Sequence, residues 1–210
     1  MARVDNYQIQ AAQAKKLFLQ YDQAELIHRC RLQFDKDYFY FSFLSQPHRL
    51  CRHTGDLQRC RAGLWVDANS FGEVMTILDW LCDSKPHRYP TGRWINVVSQ
   101  GHYFHSNLQD EEYDPNADLF DRESAAFCRA CEALGGTKTA DADISYAIEL
   151  VDGLRILVQL WHGDEEFPAL LRFLWDENAL LYLRYETTWY AIGLLLRRIK
   201  EKMECTGGQT

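Results

Sequence analysis

Apolar residues recur at three- and four-residue intervals in five stretches of the chain, and this spacing predicts helices. Ser70 and Glu73 have the spacing of a capping box, which marks the start of one helix. The pair Gly135-Gly136 is typical of a helix end, because glycine readily adopts the left-handed backbone conformation found there. We expect the helices at 6–20, 22–29, 70–83, 119–134 and 188–203.

Between the second and third helices the apolar period changes to two, which predicts strands. Gly55-Asp56 has the composition of a tight turn, and a two-residue turn there would place Cys51 directly opposite Cys60. The strands of this first meander are expected at 32–34, 38–44 and 48–54, with a return strand from Leu57 towards Trp65.

A second meander is predicted around Asp152-Gly153, which lies between two apolar runs and favours a β-hairpin closed by two residues. In that register Glu149 pairs with Ile156. Both faces of the two strands are largely apolar, so we expect the hairpin to lie inside a sheet that is covered on both sides. A further strand is expected at 170–175.

These elements predict an α+β fold, in which antiparallel strand meanders form one or two sheets packed with about four to five helices. The chain of 210 residues is long enough to bury a sizeable core. We expect one globular domain at 1–204 and a disordered tail at 205–210. The acidic stretch at 110–118 is interpreted as a solvated loop.

The formal net charge of −7 excludes bulk electrostatic binding to nucleic acid and disfavours an anionic membrane surface. The start of the chain lacks the apolar stretch of a signal peptide, and no apolar run reaches the length of a membrane span. We therefore expect a cytoplasmic protein. Its seven cysteines would then be reduced thiols, and their odd number fits a disulfide framework poorly.

Four side chains of ligand type crowd the connection that follows Trp161. They are His162, Asp164, Glu165 and Glu166. Imidazole and carboxylate groups suit divalent metals, and two neighbouring carboxylates can also divide acid and base roles. Adjacent residues in a turn point apart, so the candidate subset is His162 with Asp164 or Glu166, joined by Asp176 or Glu186 from the next turns. The alternative is a solvated loop in which one carboxylate accepts backbone N–H bonds and orders the connection.

A second candidate group consists of Cys51, His53 and Cys60. If the Gly55-Asp56 turn has two residues, these side chains share one face and would hold zinc with a fourth ligand from elsewhere. The two thiols would alternatively form a redox-labile disulfide. The structural alternative is an exposed basic hairpin, because four arginines flank the same positions.

The stretch Gly163-Asp164-Glu165-Glu166-Phe167-Pro168, with the later Leu174-Trp175-Asp176 and Tyr182-Leu183, resembles the C-terminal signature of a family of bacterial and archaeal proteins, the domain of unknown function 3786. The resemblance extends more loosely over about 6–199, including Thr91-Gly92-Arg93-Trp94-Ile95. It implies no established activity or cofactor. Some members resemble fusions to a four-cysteine iron–sulfur domain, but this chain has no such cysteine run.

Phosphate-loop, G-x-S-x-G and H-E-x-x-H motifs are absent from the sequence. The first functional hypothesis is therefore a non-catalytic accessory or binding protein that meets a ligand, metal or partner at the loop 163–168. The second is an enzyme that uses His162 with Glu166, or paired carboxylates, for metal-assisted or acid–base chemistry. The third is a protein–protein interaction module, including a homodimer.

Overall fold

Two five-stranded antiparallel sheets and six α-helices make up residues 6–97 and 115–206, which the computed structural model describes. The expected α+β class is confirmed. Within these ranges the fold divides into two compact units. One contains the residues up to Arg88 with Leu180–Leu194, and the other contains Tyr89–Ala179 with the residues from Leu195 onward. None of the helices in the described ranges is long and apolar enough to cross a bilayer.

The first unit contains three complete helices, each close to its predicted position: α1 (Asn6–Phe18), α2 (Gln23–Cys30) and α3 (Phe71–Asp83). Asp22 caps α2, because its carboxylate accepts a hydrogen bond from the Ala24 N–H at 2.8 Å. The predicted capping box of α3 is also present. The Ser70 hydroxyl donates to the Glu73 carboxylate at 2.6 Å and accepts from the Glu73 N–H at 3.4 Å.

The first sheet is a meander in which each strand pairs with its neighbours in the sequence: β1 (Gln33–Phe34), β2 (Tyr38–Phe43), β3 (Gln46–Cys51), β4 (Leu57–Arg61) and β5 (Leu64–Asp67). Two of its hairpins are closed by Leu44-Ser45 and Ala62-Gly63. All four of these residues have positive φ, the combination typical of type I′ turns. Leu-Ser and Ala-Gly carry little sequence signal for such a turn, so neither hairpin was predicted at these residues.

The predicted turn at Gly55-Asp56 is wrong. Residues 52–55 close the hairpin between β3 and β4, and Leu50 pairs with Leu57. Asp56 lies at the start of the return path, where its carboxylate accepts a hydrogen bond from the Lys15 ammonium of α1 at 2.7 Å. This contact joins positions 41 residues apart, so it cannot be inferred from the residues of the turn alone.

The second unit contains the second sheet, in the spatial order β6-β10-β9-β8-β7, and helices α4 and α5. The strands are β6 (Trp94–Ile95), β7 (Thr137–Lys138), β8 (Ile144–Val151), β9 (Leu154–Trp161) and β10 (Leu170–Asp176). The helix expected at 119–134 is two helices, α4 (Pro115–Arg122) and α5 (Ser124–Ala133), separated at Glu123. The acidic stretch expected as a loop at 110–118 is helical from Pro115, and residues 110–114 lie outside the described ranges.

A short 3₁₀ helix (Ala179–Leu181) follows β10, and the closing helix α6 (Tyr185–Thr206) starts three residues earlier than expected. Helix α6 includes residues 205 and 206 of the expected tail. Residues 207–210 lie outside the described part of the chain, so the bounds 1–204 and 205–210 stay a prediction.

The hairpin between β8 and β9 is closed by Asp152-Gly153, as predicted, with φ of 51° and 82°. A β-bulge in β8, between Glu149 and Val151, shifts the register next to the turn, so Glu149 pairs with Arg155 instead of Ile156. The Glu149 carboxylate accepts a hydrogen bond from the Gly153 N–H at 3.0 Å, across the turn. Most residues of both strands are buried on either face, which confirms the expected central position.

Candidate functional site

The loop of residues 163–168, between β9 and β10, is exposed at every position. It follows strand β9, which is almost entirely buried, and precedes Leu170 at the start of β10. The two strands pair from Trp161 and Leu170 onward. A rigid sheet therefore holds both ends of the loop and presents it to solvent.

Asp164 orders this loop from within. Its carboxylate Oδ1 accepts hydrogen bonds from the Glu166 and Phe167 N–H groups, both at 2.8 Å. The Asp164 N–H donates in return to the Phe167 carbonyl at 2.9 Å. The Phe167 and Glu166 N–H groups hold the pKa of Asp164 below its usual value, so the charged carboxylate stabilises the loop and this contribution is lost as the pH falls through that lowered pKa. Asp164 therefore fits the alternative interpretation of the sequence, in which one carboxylate accepts backbone N–H bonds and orders the connection.

Gly163 is needed for the tight path of the chain. A Cβ atom at this position would lie 2.8 Å from the Ala169 backbone nitrogen and 3.3 Å from the Phe167 carbonyl oxygen. Both atoms belong to the backbone and do not move aside as the end of a flexible side chain would. Glycine at 163 therefore lets the two ends of the loop approach each other.

We expect Gly163→Ala to lower the free energy of unfolding by about 1–3 kcal/mol, the usual range for overpacking against a rigid neighbour. Gly193→Ala, inside α6, is the matched control because a Cβ atom added there would meet nothing within 4 Å. Alanine there should raise stability by about 0.5–1 kcal/mol through its better helix propensity. Urea unfolding of both variants checks the opposite signs, and a neutral Gly163→Ala would contradict the close approach.

Glu165, Glu166 and Phe167 form the tip of the loop. Phe167 is 68% exposed, and Leu170 beside it is 43% exposed. Within residues 6–97 and 115–206, neither the Glu165 nor the Glu166 carboxylate takes part in a hydrogen bond or ion pair. The tip thus combines two uncommitted negative charges with an exposed aromatic ring, and Asp164 holds it in one conformation.

His162 lies at the base of the loop and is bound by two aspartates from distant elements. Its Nδ1 atom is 2.5 Å from Oδ1 of Asp121, at the end of α4. Its backbone N–H donates to the carboxylate of Asp143, before β8, at 2.9 Å. The second oxygen of Asp121 accepts from the Gly163 N–H at 3.1 Å. Asp121 therefore fixes both the imidazole and the first residue of the loop.

The pairing of His162 with Asp121 determines which ring nitrogen carries a proton. The hydrogen bonds from His162 and from the Gly163 N–H hold the pKa of Asp121 below its usual value, so this carboxylate accepts and Nδ1 donates. Nε2 of His162 is then the nitrogen available to a ligand or a transferable proton. The side chain of His162 is 46% exposed as a whole. Asp121 carries no local sequence signal, because 41 residues separate it from His162.

The structure does not bring Asp176 to this loop. Asp176 lies at the other end of β10, six residues beyond Leu170 or roughly 20 Å along an extended strand. It is 1% exposed, and its carboxylate accepts hydrogen bonds from the N–H groups of Thr91, Gly92 and Asn178 at 2.9, 2.7 and 3.0 Å. Asp176 therefore anchors the chain segment before β6.

Glu186 is the other residue that was expected to join the loop. It is an exposed residue in the first turn of α6 and belongs to the first compact unit, whereas the loop belongs to the second. Its participation in a site at the loop stays a prediction.

The three residues considered for zinc do not share the predicted arrangement. Cys51 pairs with Tyr38 on β2, and Cys60 pairs with Trp65 on β5. His53 lies in the loop that follows β3, where its Nε2 atom is 3.4 Å from an Asp37 carboxylate oxygen. In the part of the chain that the structure describes, no group of three or more His, Cys, Asp or Glu residues is placed to hold a metal ion. All seven cysteines are free thiols.

The family model described as "Domain of unknown function (DUF3786)" matches residues 22–198 and therefore includes both sheets and the candidate loop. No curated protein and no solved structure matches the chain.

Proposed function

Because the chain belongs to the DUF3786 family, whose description assigns no activity, we propose from the geometry of the loop that it is a non-catalytic binding protein of the cytoplasm. Its ligand would be a basic segment of a partner protein that carries an apolar side chain. The contact would be made by the tip Glu165, Glu166 and Phe167. The observation that supports this proposal most directly is the use of Asp164 to order the loop, since it leaves the two glutamates and the ring directed outward.

The charge of the chain favours such a partner. A net charge of −7 attracts a basic segment over a distance of about one Debye length, and complementary charge raises the rate of encounter. Phe167 supplies an exposed aromatic anchor of the type enriched at the centres of protein interfaces. A loop already held in its binding conformation loses little entropy on association. At the tip, the charges of Glu165 and Glu166 thus lie beside an exposed aromatic ring on a backbone that Asp164 orders.

We expect a short peptide of lysine and leucine to bind and to shift the amide NMR signals of residues 164–167. The double variant Glu165→Gln/Glu166→Gln should weaken binding about tenfold, because two exposed charge pairs of up to about 1 kcal/mol each are lost. Phe167→Ser should weaken it separately through the lost apolar contact. A peptide of glutamate and leucine should not bind.

Glu123→Gln/Glu204→Gln is the matched control, since it removes the same charge from two other exposed glutamates. Glu123 makes no side-chain capping bond at the start of α5. If both double variants weaken the peptide equally, binding reflects net charge alone and the proposed site is wrong. Absence of any shift at 164–167 with the basic peptide would reject the proposal as well.

An acid–base enzyme is the second candidate, and the pairing of His162 with Asp121 favours it. A carboxylate that holds Nδ1 and leaves Nε2 outward is the arrangement in which histidine serves as a general base. His162→Gln separates the two proposals in the same titration. Unchanged peptide affinity is expected for the binding protein, whereas an enzyme would turn over its bound substrate and lose that turnover in the variant.

A further inference from the structure

The two faces of the first sheet differ in what covers them. Every buried residue of strands β1 to β5 lies on the inner face, where the Phe41 ring of β2 is 5.4 Å from the Trp80 ring of α3 between centroids. On the outer face, every residue of these strands is half-buried or exposed. Antiparallel sheets often leave one face in solvent, and that face is then usually polar. The outer face of this sheet is instead aromatic at its centre.

One cross-strand row runs over the whole outer face. The strand pairings place one residue from each of β1 to β5 side by side, in the order Gln33, Tyr40, Arg49, Gln58 and Asp67. Arg49 lies between the buried residues His48 and Leu50 and therefore points to the opposite face, as do its partners in the row. Arg49 and Asp67 are two strands apart, which is about 10 Å at the usual spacing between strands.

Two aromatic rings flank the guanidinium of Arg49. Its central carbon lies 4.1 Å from the Tyr38 ring centroid and 4.6 Å from the Trp65 ring centroid. The Tyr40 ring extends this cluster, at 6.2 Å from the Trp65 ring. Arg49 Nε donates to the Gln58 side-chain oxygen at 2.7 Å. Side chains that are already ordered in this way lose little entropy when a partner covers them.

The composition of the outer face is that of a protein interface. Tyrosine, tryptophan and arginine are enriched at interface centres, whereas lysine and glutamate are depleted there. The outward residues of β1 to β5 include neither lysine nor glutamate, and their charged members are Arg49 and Asp67. These two charges cancel, so the face is neutral although the whole chain carries a net charge of −7.

The positions of the two charges fit a second copy of the chain. If two sheets pack face to face about a two-fold axis that runs along β4, strand β3 of one copy lies over β5 of the other. Arg49 then lies opposite Asp67 of the second copy, and symmetry repeats the pair. A guanidinium has five N–H donors and a carboxylate about four acceptor positions, so Arg49 keeps its bond to Gln58 and Asp67 keeps its bond from Asn69. The charge of −7 on each copy opposes contact through acidic surfaces and favours this neutral one.

We propose that the outer face of the first sheet is the contact surface of a homodimer. Two copies pack face to face about an axis along β4, and Arg49 of each pairs with Asp67 of the other. Roughly ten outward residues per copy are fewer than the 20–30 of a standard interface, so we expect a weak dimer with a dissociation constant on the order of 10–100 μM. The dimer does not depend on binding at the loop 163–168, which belongs to the second unit.

Sedimentation velocity of the full chain from about 5 to 500 μM tests the dimer, and we expect a shift from monomer to dimer over this range. Arg49→Glu and Asp67→Lys each place like charges opposite one another twice, so either variant alone should associate at least about tenfold more weakly. A mixture of the two variants should recover the dimer. In a mixed pair each introduced charge meets an opposite charge, which holds only when positions 49 and 67 face each other.

Arg61→Glu is the matched control, because it changes the net charge as Arg49→Glu does but on the inner face of β4, at an exposed position. It should change the dissociation constant less than about twofold. A wild-type chain that stays monomeric at the highest concentration would overturn the proposal, and this measurement needs no variant. Equal weakening by Arg61→Glu, or a mixture of folded Arg49→Glu and Asp67→Lys chains that stays monomeric, would overturn it as well. Circular dichroism of each variant establishes that it is folded.

Discussion

Asp176→Ala is expected to lower the free energy of unfolding by about 3 kcal/mol. The substitution removes the buried carboxylate that accepts hydrogen bonds from the N–H groups of Thr91, Gly92 and Asn178, and hydrogen bonds to a charged group contribute about 1.5–3 kcal/mol each before the chain relaxes. Urea unfolding measures the change. Asp176→Asn should cost less, because its amide oxygen still accepts from part of this set.

Asp118→Ala is the control for the loss of an aspartate on the surface. Its carboxylate forms an exposed ion pair with Arg122, one helical turn away at 3.3 Å, so the change should stay within about 0.5 kcal/mol. A cost for Asp176→Ala as small as that of the control would show that the segment before β6 is held in another way. The effect would then not arise from the buried carboxylate.

The second large effect concerns the two faces of β9. Ile156→Ala and Leu157→Ala should each lower the free energy of unfolding by about 3 kcal/mol, because each removes a buried side chain and leaves a cavity. Consecutive residues of a strand point to opposite faces, so equal losses are expected only when both faces are covered. Urea or thermal unfolding of the two variants provides the measurement.

Leu170→Ala, at the exposed start of the neighbouring strand, serves as the matched control and should cost less than about 1 kcal/mol. If Leu157→Ala were as mild as this control while Ile156→Ala remained costly, the sheet would be covered on one face only. That result would contradict the central position of β9.

The candidate loop has a structural part and an outward part, and the two were not separable from the sequence. Asp164 and Gly163 shape the turn, whereas Glu165, Glu166 and Phe167 face solvent. From the sequence alone, Asp164, Glu165 and Glu166 are equivalent candidates for binding a ligand. Only the hydrogen bonds distinguish the carboxylate that orders the loop from the two that are directed outward.

The turns that close the hairpins were predictable where the turn chemistry is strong and mispredicted where it is weak. Asp152-Gly153 suits two consecutive positive φ angles, so the hairpin it closes was predictable. The bulge near Glu149, whose carboxylate bonds back to the turn, was not predicted. In the first meander, Leu44-Ser45 form a turn although the pair carries little turn signal, and the pairing of the flanking strands imposes the turn conformation.

The sequence by itself determined the local elements of this protein and its α+β class. Apolar periodicity, the Ser70 capping box and the Asp152-Gly153 turn are short-range signals, because each depends on residues within a few positions of one another. The signature loop was also recognisable as a contiguous string, and the family match over residues 22–198 agrees with it.

Only the tertiary structure decided which side chains meet. The pairing of His162 with Asp121 spans 41 residues, and that of Asp176 with Thr91 spans 85. Such contacts depend on how strands and helices pack, and neither partner carries a local mark of the other. The same reason explains why Asp176 is buried and anchors the segment before β6 while Glu165 and Glu166 remain in solvent, although the sequence presents all three as equivalent acids.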